Sequence, residues 1–252
     1  MIINKKYSPY AIVQYMKNND ITFGCDLCEK SIYNYVYRGF IRVKKEQMLS
    51  PRHNRKQLNR RKVNYNAMKF PSIEQRPNCA NERDEFGHWE IDTVYSGKGT
   101  SKACLLTLTE RMTRIEESYL LPDRTAKSIV NVFNFIEKEV GFEAFTKRYK
   151  TLTSDNGVEF KDFINICLSP YTGKPRTEQY FTHPYSSYER GTNENHNRMI
   201  RRFIPKGMDL FKLTQKQIDD IVDYINNYPR RMFGGLSSKQ YYEKHVLGGL
   251  VT

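Results

Sequence analysis

Apolar positions recur with more than one period along this chain, and each period predicts a different kind of element. Near the N-terminus Ile12, Val13 and Met16 follow Ser8-Pro9 at helical spacing, with Ser as N-cap and Pro in the first turn. A second helix is predicted from about Asp26, where Asp26 and Glu29 stand at capping-box distance. It carries Leu27, Ile32, Tyr33 and Val36 and stops at Gly39. Residues 47–85 lose the pattern: they are polar and basic, punctuated by Pro51, Pro71 and Pro77, and read as a linker. From Phe86 the texture becomes that of a sheet. Residues 88–95, 102–109 and 113–121 read as successive strands, the first turn being Ser96-Gly97-Lys98-Gly99. Helical spacing returns over residues 125–140, with Ala126, Ile129, Val130, Phe133 and Ile136 on one face. Residues 149–153 read as a further short strand, and residues 165–179, with Pro170, Gly173 and Pro175, as a loop. Glu194 stands at the start of another helix, and Ile218, Ile221, Val222 and Ile225 mark one more within residues 214–245.

Three antiparallel strands, a helix, a strand and then more helix is the element order of an α/β, RNase H-like core. The pattern therefore divides the chain into a helical, helix-turn-helix-like module (1–46), a basic linker (47–85), the core (86–206) and a C-terminal helical extension (207–252).

Charge sharpens this division. The net charge of +13 is concentrated at the front: residues 1–83 hold 17 Lys or Arg against 6 Asp or Glu, whereas residues 84–252 hold 24 against 22. No acidic residue occurs between Glu46 and Glu74, a window that contains Arg52, Arg55, Lys56, Arg60, Arg61, Lys62 and Lys69. Such a cluster gains affinity for phosphate by releasing counterions, without reading base sequence. In a helix-turn-helix reading the DNA-facing side includes Lys30, Ser31, Tyr33, Asn34, Tyr37 and Arg38. A second basic group, Arg190, Arg198, Arg201, Arg202 and Lys206, surrounds the helix of Glu194, with Arg198, Arg201 and Arg202 spaced to share one face. There is no apolar run of spanning length and no signal-peptide pattern at the start, so the expected location is cytoplasmic, at the nucleoid. Five cysteines, an odd number, fit a reducing compartment. The lone Cys25-Asp26-Leu27-Cys28 pair finds no partner pair, since His53 and Cys79 are badly spaced, and structural zinc is not expected from it.

Three carboxylates carry the candidate chemistry. Asp92 lies in the apolar strand His88-Trp89-Glu90-Ile91-Asp92-Thr93-Val94-Tyr95, where an unpaired charge is expensive. Asp155 follows the later strand and opens Asp155-Asn156-Gly157-Val158-Glu159-Phe160, although Asp-Asn-Gly also suits an ordinary turn. Glu194 stands on a helix; Glu90, Glu159 and Glu189 compete with it, and alternation along the strand puts Glu90 on the same face as Asp92. Two strand carboxylates and a helical one suit a pair of divalent ions, Mg²⁺ or Mn²⁺, on either side of an in-line phosphoryl displacement.

The blocks Gly87-His88-Trp89-Glu90-Ile91-Asp92-Thr93-Val94, Leu106-Thr107-Leu108-Thr109-Glu110-Arg111 and Thr153-Ser154-Asp155-Asn156-Gly157-Val158-Glu159-Phe160 resemble insertion-sequence transposases of the IS-thirty family. So does the block from Tyr180 through Thr182-His183-Pro184-Tyr185 and Arg190-Gly191-Thr192-Asn193-Glu194-Asn195 to Pro205-Lys206-Gly207. The resemblance implies a DDE integrase-type core and cut-and-join chemistry on terminal inverted repeats and target DNA. It selects Glu194 as the third metal ligand beside Asp92 and Asp155, and a homodimer or larger assembly as the synaptic form. Family members usually carry an additional helix-turn-helix ahead of a Trp-Ser-Pro-like segment, whereas here Tyr7-Ser8-Pro9 stands almost at the first residue. A shortened copy acting as a DNA-binding repressor, or a nuclease that does not transpose, are the alternative readings.

Overall fold

The computed structural model describes residues 1–22, 24–44, 48, 70–97, 99–184, 186, 189 and 191–248. In chain order its regular elements are helices α1 (Pro9–Asn18), α2 (Glu29–Tyr37) and α3 (Asn78–Glu82), then strands β1 (His88–Tyr95), β2 (Cys104–Glu110) and β3 (Glu116–Leu121). There follow α4 (Ala126–Val140), α5 (Phe142–Arg148), β4 (Thr151–Ser154), α6 (Phe163–Cys167) and β5 (Glu178–Phe181). The chain closes with α7 (Gly191–Ile200), α8 (Gln215–Asn226) and α9 (Ser238–Tyr242). Its contacts divide it into two units, residues 60–226 and residues 1–59 with 227–252. The helical segment expected over 207–252 is thus shared: α8 packs on β3 within the larger unit, and the residues after Asn226 belong to the smaller one.

The larger unit is built on a five-stranded sheet in the order β3-β2-β1-β4-β5. β1, β2 and β3 are antiparallel neighbours, and β4 and β5 continue parallel to β1. This is the RNase H-like arrangement, with β1 at the centre. Central position explains why β1 and β2 are buried on both faces. One face is covered by α4, whose stripe Ile129, Val132, Phe133 and Ile136 is buried, with Thr125 capping it through the Ser128 amide. Trp89 packs against Tyr149 in a tilted arrangement with ring centroids 5.1 Å apart and donates its indole N–H to the Arg148 carbonyl at 2.7 Å. α7 lies against β1 and β2.

Several elements differ from the sequence expectation. Residues 70–85 are part of the core rather than linker: Ser72 bridges to Phe181, Arg76 donates to Thr153 at 3.0 Å, and Arg111 reaches the Ala80 carbonyl at 2.6 Å. The proposed loop over 165–179 holds the end of α6 and the start of β5. The Asp26–Glu29 box does not form; α2 starts at Glu29 after Cys28, which makes no side-chain cap bond. Residues 19–28 separate α1 from α2, longer than the three or four residues of a helix-turn-helix turn. In the smaller unit Ser8 does cap α1 through the Ala11 amide, and Tyr228 binds the Ser8 hydroxyl at 2.9 Å. No helix among the described residues is long and apolar enough to cross a membrane.

The larger unit also encloses an ion pair. Arg176 and Glu137 are both shielded from water and meet at 2.7 Å. The guanidinium also donates to the Ile166 and Asn165 carbonyls, and Ser169 donates to the second Glu137 oxygen. Removing one partner strands the other charge in the core. Glu137→Ala is therefore expected to lower the unfolding free energy by about 3–5 kcal/mol in urea titration, and Glu137→Leu with Arg176→Met to lie closer to the parent. Equal losses in the single and double variants would contradict this.

Candidate active site

The site is set by register. β1 pairs with β4 as His88↔Thr151, Trp89↔Leu152 and Glu90↔Thr153, a constant offset of 63 residues. Asp155 follows Asp92 by the same 63 residues, each standing two positions past the last paired residue of its segment. Asp92 sits in the body of β1 and Asp155 just beyond the end of β4, both partly accessible. Asp155 Oδ1 accepts the Gly157 amide at 2.8 Å, which turns the chain sharply behind it. The Thr93 amide holds Asp92 Oδ1 at 2.9 Å.

α7 delivers the third carboxylate. The Asn193 amide donates to Glu90 Oε2 at 3.0 Å, and Asn197 Nδ2 donates to Asp92 Oδ2 at 2.8 Å. Four helical residues rise about 6 Å and two strand residues about 6.6 Å, so helix and strand run alongside each other over this stretch. Glu194 lies between these two contacts, three residues before Asn197 and so on its side of the helix. Its own side chain is partly accessible. The helix is anchored further by Arg114, which donates to Thr192, and by His196, whose Nδ1 meets Glu116 at 2.8 Å while Thr109 donates to the same carboxylate oxygen.

The competing carboxylates have other partners. Glu90 is fully enclosed and shared between Arg111 and the Asn193 amide. Burial and neighbouring Arg83 push the Arg111 guanidinium below its usual range, against the opposing pull of Glu90. Glu189 accepts from the His183 amide at 2.9 Å and meets His183 Nδ1 at 2.8 Å. Glu159 is different. Thr93 donates to its Oε1 at 2.8 Å, but its buried Oε2 has no hydrogen-bond partner. A Cβ placed on Gly157 would come within 2.6 Å of that oxygen and 2.9 Å of Asp155 Oδ1, so the two carboxylates crowd the same glycine. A buried carboxylate oxygen without a donor beside a second carboxylate is electrostatically suited to a nearby cation. The donor set is all oxygen, as Mg²⁺ or Mn²⁺ prefers. The Asp92, Asp155 and Glu194 oxygens are not gathered to ligand spacing; among the described residues that condition is met only by Cys79, Glu85 and His88.

The basic residues separate into groups. Lys30 and Arg38 are exposed on and after α2, and Arg198 and Lys206 are exposed around α7. Arg201 is not turned outward: it donates to the Tyr95 carbonyl at 3.2 Å and the Ile204 carbonyl at 3.5 Å, because α7 ends at Ile200 and the chain turns. The face expected to unite Arg198, Arg201 and Arg202 is broken by that turn. Arg202 is only partly accessible. Arg52, Arg55, Lys56, Arg60, Arg61, Lys62 and Arg190 lie outside the described residues. Asn197 was missed in the sequence, although its spacing of three from Glu194 was the available signal.

A mixed sheet ordered around a central strand, with carboxylates on that strand, after its parallel neighbour and on the helix laid along it, defines an RNase H-like core of the integrase type. Curated relatives narrow the class. The chain is 30% identical over 248 residues to the transposase for insertion sequence element IS4351 of Bacteroides fragilis, covering 97% of this chain and 72% of that protein. It is 38% identical over 216 residues to the "Probable transposase for insertion-like sequence element IS1161" of Streptococcus salivarius, covering 85% of this chain and 58% of that one. It is 30% identical over 174 residues to transposase InsI for insertion sequence element IS30A of Escherichia coli, covering 69% and 42%. The chain belongs to the IS-thirty (IS30) family of insertion-sequence transposases. It spans little more than half the length of the Streptococcus relative. No family model matches it. Among solved structures, the catalytic core domain of BIV integrase aligns with a TM-score of 0.46 and 18% identity, over 66% of this chain and 99% of that one.

The Asn197 contact has a measurable consequence. Asn197→Ala removes a donor from a charged acceptor and is expected to cost about 1.5 kcal/mol of unfolding free energy. Asn195→Ala, at an exposed position of the same helix, should stay within about 0.5 kcal/mol. Urea titration of both variants separates them, and equal effects would show that the Asp92 contact does not hold α7.

Proposed function

We propose that this chain performs metal-dependent cleavage of DNA at insertion-sequence ends and joins the freed 3′ ends to target DNA, with Asp92, Asp155 and Glu194 as the metal-holding carboxylates. The observation that supports this reading is the β1–β4 pairing, with Asp92 two residues past its last β1 member, Asp155 two past its last β4 member, and Asn197 of α7, the helix of Glu194, bonded to Asp92. Family membership supports it.

In this reading Asp92, Asp155 and Glu194 would together hold the divalent ions. Divalent ions held there supply Lewis-acid activation of the attacking and leaving oxygens. The protein's own work is positional. Thr93 and Asn197 fix both oxygens of Asp92, so the carboxylate does not rotate as charge develops nearby. The Gly157 amide fixes Asp155. Glu159, which crowds Gly157 together with Asp155, adds a second carboxylate there, with one oxygen 3.8 Å from the Arg124 guanidinium. No side chain is required as a covalent nucleophile; water and then a DNA 3′-hydroxyl attack. Exposed Arg198 and Lys206 hold phosphates near the site, and Lys30, Arg38 and the basic residues Arg52, Arg55, Lys56, Arg60, Arg61 and Lys62 grip the flanking duplex. Bringing two ends together calls for a dimer or larger assembly.

Asp92→Asn, Asp155→Asn and Glu194→Gln are each expected to reduce end cleavage and strand transfer by at least about a thousandfold, the scale of a lost transition-state charge partner. Binding of the same duplex, read by mobility shift, should stay within severalfold. Strand transfer by any of the three at the parent rate would refute the assignment. Hydrolysis without joining by the parent would identify a nuclease instead.

A further inference from the structure

Away from the proposed carboxylate site, Cys79, Glu85 and His88 converge on one point. His88 Nε2 lies 2.9 Å from Glu85 Oε2 and 3.4 Å from Cys79 Sγ, and Sγ lies 3.4 Å from the same Glu85 oxygen. All three potential ligand atoms are therefore mutual neighbours. Hydrogen bonds can meet both sulfur contacts, the thiol donating to Glu85 and accepting from His88, and the same triangle of S, N and O is one face of a metal tetrahedron. We propose that these residues bind a transition-metal dication of the zinc class, with a fourth position left to water.

Bond lengths of about 2.3 Å to sulfur and about 2.0–2.1 Å to nitrogen and oxygen imply ligand-to-ligand edges of about 3.4–3.6 Å. The two sulfur edges already match. The nitrogen–oxygen edge is shorter because a proton lies in it, and it opens by about half an ångström when the metal takes the proton's place. The surroundings suit that exchange. His88 Nδ1 lies 2.8 Å from the Thr151 hydroxyl, which accepts the imidazole proton once Nε2 turns to the metal. Lys150 binds Glu85 Oε1 at 2.6 Å and leaves Oε2 for coordination. Binding releases one proton, from the thiol, and the thiolate and carboxylate together neutralise the dication. The soft sulfur disfavours Mg²⁺ here, so this site and an all-oxygen site draw on different metals. Asp92 lies four residues further along β1, about 13 Å away. A metal at this point ties the segment that follows α3 to the first residue of the central strand.

Titration of the chelator-treated full chain with cobalt(II), in excess magnesium to fill oxygen-ligand sites, tests the proposal. One equivalent should produce a thiolate-to-cobalt charge-transfer band and the visible bands of four-coordinate cobalt. The band should vanish in Cys79→Ser, require at least about tenfold more cobalt in Glu85→Gln, and persist in Asp92→Asn and in Cys25→Ser with Cys28→Ser. Absence of the band in the parent, or its survival in Cys79→Ser, overturns the proposal. If Cys79→Ser loses the parent circular dichroism, alkylation of Cys79 in the parent decides instead: one equivalent of zinc slows it at least tenfold, and an unchanged rate overturns the site.

Discussion

Glu90 is a fully enclosed charge, and the placement of α7 depends on how that charge is met. One oxygen takes the Arg111 guanidinium and the other takes the Asn193 amide in the first turn of α7, where the helix dipole favours an anion. Arg111 continues to the Ala80 carbonyl, so the same charge fixes the segment entering the sheet. Stranding a buried carboxylate is costly, which makes this contact close to obligatory. Rotation of α7 by one residue, about 100°, would break it together with the Thr192–Arg114, His196–Glu116 and Asn197–Asp92 contacts. The direction in which Glu194 leaves the helix is thus tied to these polar bonds of its neighbours.

Much of this arrangement was readable from the chain because it is local or periodic. β1, β2, β3 and α4 follow from alternation and helical spacing. The shared face of Glu90 and Asp92 follows from the pleat, and the 63 residues between Asp92 and Asp155 turn out to be the pairing offset of β1 with β4. What was not readable depends on partners distant in sequence. β5 is short and polar at its start and becomes a strand by pairing with β4. Arg76 and Ala80 look like linker residues until Thr153 and Arg111 meet them. Arg201 has the spacing of a phosphate contact, yet the end of α7 turns it onto two main-chain carbonyls. Cys79 lacks a spaced partner in the sequence and gains His88 only when β1 begins beside it.

Charge is accordingly distributed by role. Inside the core, cations serve structure: Arg76, Arg111 and Arg176 each spend their N–H groups on buried acceptors. Burial and the neighbouring Arg111 hold the Arg76 guanidinium down to about 10, still protonated at neutral pH, so the network remains charged in use. Cations free to meet phosphate are those on exposed positions, such as Arg198 and Lys206. The carboxylates divide in the same way. Glu90, Glu137 and Glu116 are matched by internal donors, while Glu159 keeps an unmatched oxygen against Asp155.

β1 links these roles mechanically. Its first residue, His88, is held by Thr151 and by the Cys79–Glu85 pair, its third by α7 and Arg111, and its fifth presents Asp92. Both faces are packed, so displacement at one position is resisted along the whole strand. A carboxylate on such a strand is held in place by the sheet, which is the preorganisation that the proposed phosphoryl transfer calls for. Asp155 stands just past the end of its strand and depends on the Gly157 turn, and Glu194 depends on a helix held by side chains. Under the proposed function, Asp92 is therefore the member of the three that the sheet itself holds in place.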